Sequence, residues 1–141
     1  MVRSIVMWTE NIFKSVYARL KANGTLLIKQ KFPKLTPNFS DSTPSAESIK
    51  YPCIVVRQLP GVEKARDIEG AFVNEILSSI QIDVMTNTKQ SEANSIAYIM
   101  ADLMKSMRYE MAGEPHPMDS QLNDYRNVSN YRRNVDYNDI I

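Results

Sequence analysis

One cysteine, one histidine and a closing stretch rich in tyrosine, arginine and aspartate are the side chains through which this 141-residue chain could do chemistry. Cys53 lies inside the apolar run Cys53-Ile54-Val55-Val56 with no base beside it. It therefore reads as a small core residue, and a single cysteine forms no internal disulfide. His116 stands between Pro115 and Pro117 with no nucleophile or orienting carboxylate next to it, which predicts an exposed loop residue without an acid–base role. Asp119, Asp124, Asp136 and Asp139 match no calcium-loop spacing, and no His/Cys cluster has metal-ligand spacing. With only four glycines there is no phosphate-cradling loop either. No enzymatic activity, metal or cofactor is expected. The segment Tyr125 to Arg133 interleaves aromatic and basic residues, a composition that stacks on and neutralises nucleic acid. Flanked by Asp124 and Asp136, the same mixture reads more simply as a protein interface or sheet surface.

The elements that must position these groups follow from periodicity. Ile76, Ile80, Ile82 and Val84 share one parity and Ser79, Gln81 and Asp83 the other, which predicts a strand over 71–86 with one buried face. Ile96, Met100, Leu103 and Met107 recur at helical spacing, so a helix is expected over 92–107, with Thr88 or Ser91 capping its first turn. The Met100, Met104 and Met107 stripe is core filler. Near the start, Ile5, Trp8, Ile12, Phe13, Val16, Tyr17 and Leu20 predict a first helix from about Arg3 to Ala22, stopped by Asn23-Gly24. Thr25 to Phe32 then reads as a strand or extended arm. Residues 33–51, rich in proline and serine, predict a mobile loop without a regular element. Cys53 to Leu59 is the next strand, closed by a Pro60-Gly61 turn, and 60–70 forms a charged hairpin tip. Residues 112–117 break the pattern, and Tyr131, Val135 and Tyr137 share a parity in a last strand over 125–137. The expected fold is a single α+β domain over 1–141: a mostly antiparallel sheet of about four strands against two helices, with long loops.

Net charge is only +1, which argues against a dedicated phosphate-backbone binder. The charge is unevenly placed. From Met1 to Lys34 seven basic residues, Lys29 and Lys31 among them, face a lone Glu10. From Pro60 to Thr86 the acids Glu63, Asp67, Glu69, Glu75 and Asp83 outweigh Lys64 and Arg66. Such asymmetry suits complementary subunit surfaces. The first residues reach Glu10 too early for a signal-peptide core, and no apolar run approaches the roughly twenty residues that span a bilayer, so a cytosolic protein without membrane contact is expected.

The order of elements, together with Tyr51-Pro52-Cys53-Ile54-Val55-Val56, Ile80-Gln81-Ile82-Asp83-Val84-Met85-Thr86-Asn87 and Tyr131-Arg132-Arg133, resembles the tail completion, or tail terminator, proteins of long-tailed phages. The resemblance covers nearly the whole chain. It implies a virion structural protein, assembled in the host cytoplasm, that forms a ring, typically hexameric, capping the tail tube and meeting the head connector. Its partners would be further copies of itself, the tail tube protein and the connector, with nucleic acid at most passing through the ring lumen. The family has no catalytic residues to carry over. Candidate subunit-interface residues are Lys29, Lys31, Glu63, Arg66, Asp67, Glu69, Arg132 and Arg133. A head-closure or minor capsid protein is the alternative within this class. From another class, a small α+β nucleic-acid-binding module would use Arg126, Arg132 and Arg133 with Tyr125 and Tyr131.

Overall fold

A computed structural model describes residues 2–42, 44–45, 47–66, 73–119 and 124–136, with side chains described only within 11–59, 77–119 and 124–135. Helix α1 spans Val2–Lys31, strand β1 Asn38–Ser40, β2 Cys53–Arg66, β3 Val73–Thr86, helix α2 Gln90–Ser106, β4 Glu110–Met118 and β5 Tyr125–Asp136. The five strands form one sheet in the order β1-β2-β3-β5-β4, antiparallel except for the β1–β2 pair. The expected α+β class is observed, with one strand more than the sequence suggested.

The first helix does not stop at Gly24. Ile12, Val16, Leu20, Gly24 and Ile28, each four residues on, are all buried, and the helix runs through the stretch expected to be an extended arm. Gly24 is needed for closeness. A Cβ there would sit 2.8 Å from Met100 Cε and 3.0 Å from Phe39 Cζ, so the missing side chain lets α2 approach α1. Thr25 fits the helix by donating its hydroxyl to the Lys21 carbonyl at 2.6 Å, and Pro33 prevents the helix from continuing further. Gly24→Ala is expected to change stability by less than about 1 kcal/mol, because the gain in helix propensity offsets displacement of the flexible Met100 methyl. Gly24→Leu, by contrast, overfills the contact and costs about 1–3 kcal/mol in urea denaturation.

The proline- and serine-rich stretch carries a regular element after all. Asn38, Phe39 and Ser40 pair with Cys53, Ile54 and Val55. The Asn38 amide N–H donates to the Pro52 carbonyl at 2.9 Å, and its side chain reaches the Thr36 and Lys50 carbonyls. Pro60-Gly61 does not turn the chain. It lies at a register shift between Leu59 and Val62, and β2 continues to Arg66. Thus the first part of the expected tip at 60–70 is strand, and residues 67–70 lie outside the described residues. The expected break at 112–117 is likewise strand, because β4 is a sheet edge, where Pro115, Pro117 and two register irregularities are tolerated.

Both helices cover one sheet face. Ile54, Val56, Ile80, Ile82, Val84, Tyr131 and Val135 meet Ile96, Met100 and Met104 of α2 in the main core. The strand parity read from the sequence is observed at Ile80, Ile82 and Val84, and β5 buries Tyr131 and Val135 as expected, while Tyr137 lies outside the described residues. On the opposite face a small second cluster, Cys53, Val55 and Met85, is covered by Ile49 and Tyr51. Neither Thr88 nor Ser91 caps α2. Its N-cap is Lys89 without a side-chain bond, and the Thr86 hydroxyl instead accepts from the Thr88 N–H. At the other end Arg108 takes the left-handed conformation, φ 65°, as the Tyr109 N–H returns to the Met104 carbonyl.

Candidate interaction surface

Side chains with chemical potential take structural places. Cys53 is 3% exposed; burial, then the nearby Asp124 and Asp83 carboxylates, push its thiol pKa up, which disfavours the thiolate. His116 is exposed, with Nδ1 2.7 Å from the Glu114 carbonyl. Among the described residues no three His, Cys, Asp or Glu side chains gather to hold a metal.

The sheet face away from the helices holds a buried charge. Asp83, 1% exposed, accepts from Arg57 on β2 at 2.9 Å and from Arg126 on β5 at 2.6 Å, both at Oδ2, while Gln81 donates to Oδ1 at 3.1 Å. One carboxylate on the middle strand therefore ties β2, β3 and β5 together. Beside it the Tyr51 hydroxyl donates to Asp124 at 2.7 Å, and burial together with this bond pushes its pKa up to about 12. The helix side has its own polar ties: Asn127 and Gln90 both donate to Asn94 Oδ1, at 2.8 and 2.9 Å, and Ser78 bonds the Tyr109 hydroxyl at 2.8 Å.

The candidate interface residues divide. Lys29 and Lys31 are exposed on the last turn of α1, and Lys31 lines a shallow groove with Leu27, Gln30, Ile99 and Asp102. Glu63 and Arg66 lie on β2 with side chains outside the description, and Asp67 and Glu69 are outside the described residues. Arg132 is well exposed, 4.0 Å from Glu110. Arg133 is only 9% exposed and donates to the Met107 carbonyl at 3.0 Å, holding the C-terminal end of α2. The five residues that would have formed a nucleic-acid patch do not form one surface. Tyr131 is buried among the core side chains, with its pKa pushed up to about 12 by burial, and Arg133 shares its sheet face, whereas Arg126 and Arg132 are on the other.

Arg132 and Arg133 nevertheless line one pocket with Arg108, a residue that no sequence pattern singles out. β4 begins at Glu110, opposite Arg132, so the edge of β5 beyond it has no β4 neighbour. Around that edge Leu77, Arg108, Glu110, Arg132, Arg133 and Asn134 line an open pocket of about 380 Å3. Only the backbone turn after α2 brings Arg108 there, and nothing in the residue spacing announces it. No protein-family model matches this chain, and no curated protein matches it.

Proposed function

We propose that this chain is a structural protein of a long-tailed phage virion, a tail terminator that closes into a ring, caps the tail tube and meets the head connector. The sequence signatures around Tyr51-Pro52 and Ile80 to Asn87 support this, and so does their setting. Both fall on neighbouring central strands of a small α+β sheet.

The observation that carries the reading is segregated charge. Lys14, Arg19, Lys21, Lys29 and Lys31 are all exposed on α1, no acidic residue occurs between Asn11 and Pro37, and yet the whole chain has a net charge of only +1. The compensating acids lie elsewhere, so a basic helix on one subunit can face an acidic region on the next. Two different surfaces in contact make a head-to-tail association, which closes when the rotation allows.

The test is deletion of the gene in the phage or prophage that carries it, with tails examined by electron microscopy, and addition of the purified full chain to growing tail tubes. Tails of irregular length without heads, and tubes that stop growing with a ring at one end, are expected. Normal tails from the deletion strain, or tubes that elongate unaffected, would sink the reading. A ring found on the connector in place of the tube would assign the head-closure role instead.

A further inference from the structure

We infer that the stretch 47–52 is a lid, latched by Tyr51, that lifts off the sheet face away from the helices while the rest of the domain stays folded, uncovering an apolar patch of Cys53, Val55 and Met85. This goes beyond the ring and does not rest on it. The lid has a fixed base. Asn38 of β1 grips it on both sides of Tyr51: its backbone N–H donates to the Pro52 carbonyl at 2.9 Å, and its side-chain amide donates to the Lys50 carbonyl at 3.2 Å and to the Pro52 carbonyl at 3.3 Å. β1 is itself held twice, by pairing with the first three residues of β2 and by Phe39, which packs against the main core. With the base fixed in this way, Ile49 can lift and the Tyr51 ring can swing without undoing the sheet.

What the lid covers is separate from the main core. Ile49 and Tyr51, both half-buried, pack on Cys53, Val55 and Met85, and the sheet itself divides this small cluster from the residues beneath the helices. The Tyr51 hydroxyl donates to Asp124 at 2.7 Å, a latch that reaches the start of β5, 73 residues along the chain. Glu47, Ser48 and Lys50 are exposed, and the Ser48 N–H turns back to the Ser45 carbonyl at 3.0 Å within the same loop. Segments with little buried apolar surface open at a lower free energy than the whole fold. Cys53, only 3% exposed when the lid is down, lies where such an opening would be felt.

Cys53 is the single cysteine of the chain, so alkylation of the full chain by N-ethylmaleimide, followed by mass spectrometry, reads access beneath the lid at one known position. Two variants separate lifting of the lid from unfolding of the domain. Tyr51→Phe keeps the ring and removes the latch, and alkylation is expected to run about fivefold faster, the usual worth of one hydrogen bond. Ile96→Val weakens the main core under α2, where Ile96 has no exposed surface, and leaves the lid untouched. Its urea midpoint should fall while its alkylation rate stays that of the parent. In the parent the rate should be flat in urea until the unfolding transition begins, because lifting the lid exposes little surface. A rate that climbs from the first addition of urea with the slope of global unfolding, no acceleration in Tyr51→Phe, or equal acceleration in Ile96→Val would each overturn the lid and show that Cys53 is reached only when the whole domain unfolds.

Discussion

Replacing Ile82 with Asp is expected to abolish the fold, while Gln81→Glu at the adjacent position leaves it intact. Ile82 has no exposed surface and sits in the middle strand, opposite Val56 of β2 and Ser129 of β5, beneath the helices. A carboxylate placed there loses its water without gaining a partner, at a cost of several kcal/mol on top of about 3 kcal/mol for the lost side chain. A domain whose whole stability is about 5–15 kcal/mol has little left after that. Gln81 points the other way, is partly exposed, and donates to Asp83. A glutamate there loses the donor to Asp83 and adds a like charge, but it is partly exposed and can turn toward water, so a cost of about 1–2 kcal/mol is expected, far below that at Ile82. Soluble yield and circular dichroism melts check both variants. Similar losses from the two would mean that the faces of β3 have been assigned the wrong way round.

Asp83→Ala should be the most damaging change on the other face, at about 2–3 kcal/mol, because it leaves two guanidinium groups close together with no carboxylate between them, while their partial exposure, 36% and 26%, lets water offset part of the loss. Removing either arginine alone should cost less, since Asp83 keeps its second partner. The informative experiment is the triple replacement Arg57→Met, Asp83→Leu, Arg126→Met. Buried ion pairs repay little beyond their own desolvation, so an apolar substitute of similar volume should recover most of the loss. Urea denaturation of the three proteins gives the comparison. A single Asp83→Ala variant within about 1 kcal/mol of the parent would show that the clamp contributes nothing to folding.

Much of the architecture was readable wherever burial is one-sided. The parity of Ile80, Ile82 and Val84 and the four-and-three spacing of Ile96, Met100 and Leu103 both gave the buried face directly. Gly24 shows why other parts were not. A glycine after an asparagine looks the same whether it ends a helix in the left-handed region or lets a second helix come close, and only the partner, Met100, distinguishes the two. The signal that could have decided it was the continued step of four from Val16 through Leu20 to Ile28. Asp83 falls on the parity away from the main core, and strand periodicity, which reports only one strand, shows nothing of the partners that bury it. Its arginines come from positions 26 residues before it and 43 after it. Arg133, conversely, could have been found, since it shares its parity with Tyr131 and Val135. The pocket it helps to line depended on the φ angle of Arg108, for which sequence spacing offers no sign.

Two prolines in β4 bear on how such chains behave when crowded. A sheet spreads from molecule to molecule by offering a row of free N–H and C=O groups to the next strand, and Pro115 and Pro117 remove donors from the outermost strand on that side. On the opposite side β1 covers only the first three residues of β2, which leaves the rest of that strand as the side able to accept a neighbour among the described strands. The last residues of β5, beyond the start of β4, stay open on that side, so the prolines shorten this margin without closing it, and spread of a shared hydrogen-bonded sheet from chain to chain is weighted toward the β2 side.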